Sequence, residues 1–278
     1  MNRQNAIGVL DSGVGGLSVL REMIAQLPHE DILYVADQAN VPYGPRTIEQ
    51  VREFVVGITR FLMAQDVKLI VVACNAASAA ALYTVRDLFP AMSIVGMEPA
   101  VKPAAEQSQT GVIGVLATQA TFQGELYASV VGRFAHGMQV EKRACPEWVL
   151  LAEAGDTNSP AAYDSVRRCI TPLVEAGADQ LVLGCTHFPF LKATIQDVAG
   201  PGVTIVDPSA AVARQVGRVL DDHDLRQPDD HTGHVIYTSS GETGAFQRVL
   251  GALVGAQIAD AADVRGVRWE NGQLDWAK

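Results

Sequence analysis

Short apolar runs alternate with longer segments of mixed polarity along the whole chain. The runs are rich in Val, Ile and Leu and are too short for helices, which is typical of buried β-strands. The pattern predicts strands at residues 6–10, 32–36, 69–73, 94–97, 112–116, 180–183, 203–206 and 234–238.

The segments between these strands carry signals that start helices. Thr47 and Gln50 have the spacing of a capping box, in which each side chain accepts a hydrogen bond from the other residue's backbone N–H. At 159–160 and 207–208, a residue that caps helices precedes a proline suited to the first turn. This alternation of strands and helices predicts an α/β fold with parallel sheets.

Two of the predicted strands lead to a cysteine. Cys74 ends an apolar run that begins at Lys68, and Cys185 ends a run that begins at Gln180. The two cysteines are 111 positions apart, and polar residues follow both. Two similar strand ends that each carry one thiol predict two bases that face one site.

A short internal repeat supports this prediction. The tetrapeptide Ile-Gly-Val-Leu occurs at residues 7–10 and again at 113–116, an offset of 106 that is close to the cysteine spacing. Two halves that fold alike and pack about a pseudo-twofold axis would bring Cys74 and Cys185 to opposite sides of one cleft. Chance recurrence is the alternative, because short apolar words are common in buried parallel strands.

Composition excludes several classes of protein. A chain of 278 residues with 48% hydrophobic and 19% charged residues is typical of a globular protein of about two domains. Its net charge of −10 argues against binding to nucleic acid. No apolar stretch reaches the length of a membrane span, and the polar start at residues 1–5 lacks an export signal, so we expect a cytoplasmic protein without membrane partners.

The remaining cysteines and the histidines offer no metal site. No CxxC pair occurs, which excludes a zinc ribbon and a thioredoxin motif, and free thiols fit a reducing compartment. Cys145 and Cys169 are predicted to be structural. Residues 220–233, rich in Asp, His and Pro, are predicted to form an exposed connection. Solvated histidines are expected in and just after this segment, at His223, His231 and His234.

Ligands of open parallel sheets bind beyond the carboxyl ends of the strands, so polar residues at those ends are candidates for chemistry. They are Asp11 and Ser12, Cys74 and Asn75, Thr118 and Thr121, and Cys185, Thr186 and His187. The glycine-rich turn at 13–16 is not a dinucleotide loop, because Ser18 stands where the last glycine is required. Free N–H groups of such a turn can bind a carboxylate, which favours a small acidic ligand.

Several segments together resemble the cofactor-independent glutamate racemases. They are residues 10–18, 41–44, 73–75 and 183–189, with weaker matches at 151–153 and 237–239, so the resemblance covers nearly the whole chain. The second cysteine motif reads Cys-Thr-His, whereas aspartate racemases typically carry Cys-Thr-Glu. One departure is Ala76, where the family usually has threonine; the lost hydroxyl is one expected to contact the substrate carboxylate.

The resemblance implies two similar α/β domains with the active site in the cleft between them. The first would comprise residues 1–98 and 208–278, and the second residues 99–207. It further implies interconversion of L-glutamate and D-glutamate for peptidoglycan synthesis, without a cofactor, by a homodimer. Pyridoxal phosphate is not implied, because no lysine lies in the two cysteine motifs to form a Schiff base.

Inversion at an α-carbon requires removal of a proton from one face and its return to the other, which two opposed thiols can perform. By resemblance, Asp11 assists Cys74, while His187 and Glu153 assist Cys185. Cys74 would act on D-glutamate and Cys185 on L-glutamate. The candidate substrate-binding residues are Asp11, Ser12, Pro42, Tyr43, Gly44, Asn75, Ala76, Thr118, Thr121, Thr186 and His187.

Two other functions remain open at this point. One is racemisation of another small acidic amino acid. The other is binding of glutamate without catalysis, which the alanine at position 76 motivates. Retention of both Cys74 and Cys185 argues against the second, because binding alone requires no second thiol.

Overall fold

The computed structural model describes residues 2–277, so Met1 and Lys278, at the two ends of the first predicted domain, lie outside the described residues. The strands are β1 Ile7–Asp11, β2 Ile32–Ala36, β3 Leu69–Val72, β4 Ile94–Gly96, β5 Val112–Ala117, β6 Gln139–Ala144, β7 Gln180–Gly184, β8 Thr204–Val206, β9 Val235–Ser239, β10 Asp263–Glu270 and β11 Gln273–Trp276.

Helices occupy most of the segments between the strands. They are α1 Leu17–Gln26, α2 Ile48–Ala64, α3 Asn75–Leu88, α4 Val101–Gln107, α5 Gln119–Gln123, α6 Glu125–Phe134, α7 Pro146–Glu153, α8 Pro160–Glu175, α9 Lys192–Ala199, α10 Ser209–Asp222, α11 Thr243–Val254 and α12 Ala256–Asp260. A 3₁₀ helix, Phe188–Leu191, follows β7. None of these helices is both long and apolar enough to cross a bilayer.

The strands form two sheets of the predicted α/β type. The first sheet has the order β11-β10-β9-β2-β1-β3-β4 and the second the order β6-β5-β7-β8. All neighbouring strands are parallel except β10 and β11. Buried aliphatic side chains cover both faces of each sheet, as parallel sheets flanked by helices require.

The internal repeat corresponds to a repeat of topology. The order β2-β1-β3-β4 in the first sheet matches β6-β5-β7-β8 in the second. The two copies of Ile-Gly-Val-Leu lie in the equivalent strands β1 and β5, each of which pairs with the strand that leads to a cysteine. Cys74 and Cys185 therefore follow equivalent strands of the two sheets.

The eight predicted strands are all present, with ends shifted by at most one residue. Three further strands were missed. The strand β6 is an edge strand of sequence Gln-Val-Glu-Lys-Arg-Ala and is largely exposed, so it has no apolar run to reveal it. The hairpin of β10 and β11 did carry a sequence signal, the dipeptide Asn271-Gly272. Asn-Gly is preferred in two-residue hairpin turns because both turn residues need positive φ, and both have it here.

The predicted helix starts are also present. Thr47 and Gln50 form the complete capping box of α2, and Ser159 caps α8 by accepting a hydrogen bond from the backbone of Ala162. The third start is displaced by one residue, since α10 begins at Ser209.

The prediction of an exposed connection at residues 220–233 was wrong in part. The helix α10 continues to Asp222, and Leu225 and Gln227 are buried. His231 is not simply solvated, because its Nε2 lies 3.1 Å from the Asp31 carboxylate. His223 and His234 are exposed as expected. The polar composition of residues 220–233 indicated a loop, but it did not show that Leu225 and Gln227 within it are buried against the rest of the protein.

Candidate active site

Cys74 lies between β3 and α3 and caps the N-terminus of that helix. Its Sγ accepts a hydrogen bond from the Ala77 backbone at 3.4 Å and donates to Ser12 Oγ at 3.8 Å. The side chain is only 4% exposed. Burial and the nearby Asp11 charge raise the pKa of Cys74 well above that of a free thiol, despite the opposing effect of the Ala77 hydrogen bond. The Cys74 thiol is therefore protonated at neutral pH.

Cys185 occupies the equivalent place after β7 and has a different partner. Its Sγ lies 3.6 Å from Nδ1 of His187, and the other ring nitrogen of His187 lies 2.6 Å from Glu153 Oε1. Burial alone would lower the pKa of His187, but its hydrogen bonds to Cys185 and Glu153, and their negative charges, raise that pKa well above its usual range. A protonated imidazole donates from both nitrogens, which suits it to stabilise a thiolate on one side and a carboxylate on the other.

Glu153, at the end of α7, contacts residues that follow strands of the first sheet. Its Oε1 also accepts from the backbone N–H of Val14 at 2.9 Å, and its Oε2 accepts from Nε2 of Gln38 at 2.8 Å. The carboxylate thus accepts from three donors. One of them, His187, lies in the segment that follows β7 of the second sheet. Gln38 was not among the predicted residues, although it follows the carboxyl end of β2, where polar residues were sought elsewhere.

The glycine-rich turn after β1 allows this close approach. A Cβ built on Gly13 would lie 2.0 Å from Glu153 Oε1, and a Cβ on Gly15 would lie 2.4 Å from His187 Nδ1 and 2.6 Å from Thr186 Oγ1. Side chains at these positions would occupy the space of the polar groups. Besides leading into α1, the turn therefore leaves space for Glu153, Thr186 and His187 to pack against the first sheet.

Asp11, at the end of β1, is fully buried beneath this turn. Its carboxylate accepts from the Gly13 backbone at 2.9 Å and from Thr186 Oγ1 at 3.3 Å. Burial raises the pKa of Asp11, while the charge of His187 opposes that rise. Its predicted role as the assistant of Cys74 stays a prediction.

The candidate carboxylate-binding groups lie at the N-termini of two helices. Asn75 begins α3 and is buried, and neither polar atom of its side chain has a hydrogen-bond partner among residues 2–277. An unpaired buried amide is costly, so these atoms are available to a ligand. Thr118 caps α5, and its hydroxyl lies 3.1 Å from that of Thr121. Ala76 is buried in the first turn of α3 and offers only its backbone N–H.

The turn at residues 42–44 approaches Thr118 from the opposite sheet. Val41 and Pro42 are joined by a cis peptide bond, and a Cβ on Gly44 would lie 3.4 Å from Thr118 Cβ. An apolar cavity of about 300 Å³ lies here, lined by Pro42, Gly44, Pro45, Thr118, Gln119, Ala144, Pro146, Val149 and Leu150. Three of the predicted binding residues are thereby brought together at its wall.

Asp37 fixes this turn from within the protein. Its fully buried carboxylate accepts hydrogen bonds from Tyr43 Oη at 2.7 Å, Ser240 Oγ at 2.8 Å and Trp269 Nε1 at 2.7 Å. Asn40 donates to both of its oxygens. Tyr43 is one of the candidate substrate-binding residues, and its hydroxyl is engaged by Asp37. Asp37 was not among the predicted residues, although it follows β2 directly.

We expect Asp37→Asn to lower the free energy of unfolding by about 1–3 kcal/mol, because the amide –NH₂ would face donors that need an acceptor. Urea denaturation measures the change. The control is Asp164→Asn, whose carboxylate is exposed beside Arg167; there we expect a change below about 0.5 kcal/mol. Equal stability of the Asp37 variant and the wild type would contradict the account of this hydrogen-bond cluster.

No group of three or more His, Cys, Asp and Glu side chains within residues 2–277 is arranged to hold a metal ion. The buried Lys68 is paired with Glu30 and donates to the backbone of Arg3, so its amine is engaged outside the site.

The fold and the two cysteine motifs define a class of racemases. The family model of Asp/Glu/hydantoin racemases matches residues 7–216, and the chain belongs to this family. The glutamate racemase of Herpetosiphon aurantiacus is 49% identical over 90% of this chain and 98% of its own length. That of Ectopseudomonas mendocina is 46% identical over 92% and 98%, respectively.

Solved structures of glutamate racemases share the fold. Isoform RacE1 from Bacillus anthracis superposes with a TM-score of 0.86 at 29% identity, covering 98% of this chain and 100% of that one. The Escherichia coli enzyme, in complex with L-glutamate and the activator UDP-MurNAc-ala, gives a TM-score of 0.82 at 31% identity over 99% and 100%.

Proposed function

We propose that this protein is a cofactor-independent glutamate racemase that uses Cys74 and Cys185 as its two bases. The observation that carries the proposal is the placement of the two thiols after equivalent strands of two topologically matching sheets. Glutamate racemases that match this chain over nearly their full lengths support glutamate as the substrate.

In the direction from L-glutamate, the Cys185 thiolate accepts the α-proton, and the C–H electron pair passes to the α-carbon and its carboxylate. The Cys74 thiol then donates its proton to the opposite face, giving D-glutamate and a Cys74 thiolate. In the reverse direction the two thiols exchange roles. One proton is taken and one returned, so the reaction balances without a redox partner.

The free protein is prepared for the first of these directions. Burial keeps Cys74 protonated as a donor, whereas Cys185 has Nδ1 of His187, a group whose pKa is raised, 3.6 Å from its Sγ. Glu153 Oε1 is hydrogen-bonded to Nε2 of His187, the ring nitrogen that does not face Cys185, and stabilises the positive charge of the imidazolium. This difference between the two thiols is consistent with Cys185 acting on L-glutamate.

Charge that develops on the α-carboxylate needs donors aimed at it. We assign this role to Asn75, Thr118, Thr121 and the backbone N–H groups that follow each cysteine. Ser12 and the turn at 42–44 are assigned to the distal carboxylate. Thr186 and Asp11, which are hydrogen-bonded to each other, are assigned to the amine.

The remaining proposals concern the setting of the enzyme. We assign residues 1–98 with 208–278 to one domain and residues 99–207 to the other, in keeping with the membership of the two sheets. We propose that the enzyme acts as a homodimer in the cytoplasm and supplies D-glutamate for peptidoglycan.

Circular dichroism of the metal-free and cofactor-free protein with L-glutamate in deuterated water tests the proposal. We expect loss of optical activity together with one deuterium at the α-carbon by mass spectrometry. Aspartate serves as the competing substrate. Faster racemisation of aspartate would identify another acidic substrate, and thermal protection by glutamate without α-exchange would identify a binding protein instead.

Removal of the Glu153 charge is expected to shift the pH profile. His187 faces Glu153, Cys185 and Asp11, and the Glu153 carboxylate raises its pKa. Protonated His187 stabilises the Cys185 thiolate that removes the α-proton of L-glutamate, so activity falls when His187 loses its proton. In Glu153→Gln the pKa of His187 falls, and the alkaline limb of kcat/KM moves to lower pH.

The measurement is kcat/KM against pH for both enantiomers. Glu147→Gln is the matched control, because Glu147 lies on the same helix but binds Ser165 and Arg168. An unmoved alkaline limb in Glu153→Gln would show that Glu153 does not act on this proton.

A further inference from the structure

We propose that Gln38 is a positioning residue for the Cys185 side of the reaction and acts through the Glu153 carboxylate. The inference rests on the proposed racemase function and goes beyond it by naming a residue outside both cysteine motifs. Gln38 reaches the chemistry through a chain of three contacts, from its amide to Glu153, from Glu153 to His187 and from His187 to Cys185.

The two oxygens of the Glu153 carboxylate have different partners. Oε1 is shared by His187 and the backbone N–H of Val14, whereas Oε2 accepts from Gln38. A carboxylate rotates about its terminal bond unless both oxygens are held. The Gln38 amide therefore fixes the direction in which Oε1 points at His187.

The Gln38 side chain is itself held in place. A Cβ built on Gly241 would lie 3.0 Å from Gln38 Cβ and 3.6 Å from its Oε1, so the glutamine packs closely against this glycine. Gln38 follows β2 and Gly241 follows the neighbouring strand β9, both in the first sheet. Glu153, at the end of α7, is thus positioned by a side chain that follows a strand of the first sheet.

Within residues 2–277, the hydrogen-bond chain that begins at Gln38 ends at Cys185 and does not include Cys74. Cys74 is hydrogen-bonded instead to Ser12, in the turn after β1, and to Ala77, in the first turn of α3. Loss of the Gln38 donor should raise the barrier for proton transfer at Cys185 and leave that at Cys74 unchanged. A residue that only stabilises the fold would affect both steps alike.

Racemisation provides a direct test of this asymmetry. The two enantiomers have equal free energies, so kcat/KM must remain equal in the two directions whatever the variant. The kinetic isotope effect is not so constrained, because it reports which proton transfer limits the rate. An isotope effect on removal of the α-deuteron rises when that transfer becomes slower than the other.

The experiment compares Gln38→Leu with the wild type, using α-deuterated L-glutamate and α-deuterated D-glutamate. We expect kcat/KM to fall about tenfold for both enantiomers, as for loss of one hydrogen bond to a charged group. The isotope effect on kcat/KM should rise for the L enantiomer and fall toward unity for the D enantiomer. Unchanged isotope effects would overturn the proposal, even if activity falls.

A matched control is Gln247→Leu, which removes from α11 a comparable glutamine donor, one that is hydrogen-bonded to the Ala259 carbonyl of α12. It should leave kcat/KM and both isotope effects unaltered. A double variant provides the second test. If Gln38 acts through Glu153, then Gln38→Leu should have little further effect in a Glu153→Gln background, whereas multiplied effects would refute this route.

Failure of this inference is distinguishable from failure of the proposed function. If the wild-type protein does not racemise glutamate, the proposed function is refuted. If the wild-type protein racemises glutamate and Gln38→Leu has an unchanged kcat/KM, only the role of Gln38 is refuted.

Discussion

Replacement of either Cys74 or Cys185 by alanine is expected to lower the rate of racemisation by about 10²- to 10⁴-fold, the contribution of a positioned general acid or base. Inversion needs a proton donor and an acceptor on opposite faces of the α-carbon. A single remaining thiol can remove a proton and return one only on its own face. The measurement is the initial rate of change in circular dichroism with each enantiomer.

Deuterium exchange assigns each thiol to its enantiomer. In deuterated water, Cys185→Ala retains Cys74 and should exchange the α-proton of D-glutamate without inversion, whereas Cys74→Ala should exchange only that of L-glutamate. The control is Cys169→Ala, which removes a partly exposed thiol from α8 and should retain full activity. Racemisation at the wild-type rate in either alanine variant of the proposed bases would refute the two-base mechanism.

Substitution of Gly15 by alanine is expected to lower kcat/KM about 100-fold, since small displacements of catalytic groups carry losses of this size. The new Cβ would lie 2.4 Å from His187 Nδ1 and 2.6 Å from Thr186 Oγ1. His187 and Thr186 are both buried, so neither can turn into solvent. The segment after β7 must move away from the turn after β1, and Cys185 moves with it.

Steady-state kinetics and urea unfolding together separate this effect from misfolding. Gly132→Ala is the control, because Gly132 lies within α6 and a Cβ there would have no neighbour within 4 Å. That control should be fully active and more stable by about 0.5–1 kcal/mol. Normal activity of Gly15→Ala would show that the packing of the turn against His187 is not required.

Most of the fold could be predicted because its information is local. A buried parallel strand needs a run of Val, Ile and Leu, and a helix start needs a capping residue, so both are visible within a few positions. This is why eight strands and the capping box at Thr47 were placed correctly. It is also why β6 was missed, since an exposed edge strand lacks the apolar run.

The candidate site was predictable to the extent that it lies at strand ends. Asp11 ends β1, Cys74 lies two residues after β3 and Cys185 follows β7 directly. The motif around Cys185 includes His187. Asp37 and Gln38 also follow a strand, so the same rule would have found them. Nothing local, however, indicates that Gln38 contacts a carboxylate 115 positions away or that Asp37 contacts an indole 232 positions away.

The α/β alternation, the internal repeat, the two thiols and the family resemblance are all visible in the sequence, because each depends on neighbouring residues or on an exact motif. The position of Glu153 between His187 and Gln38, and the hold of Asp37 on the turn at 42–44, are visible only in the folded protein. The hydrogen-bond partners of these carboxylates depend on how the segments of one sheet pack against those of the other, which no local stretch of sequence specifies. That packing depends on glycines such as Gly13 and Gly15, whose missing side chains leave the space.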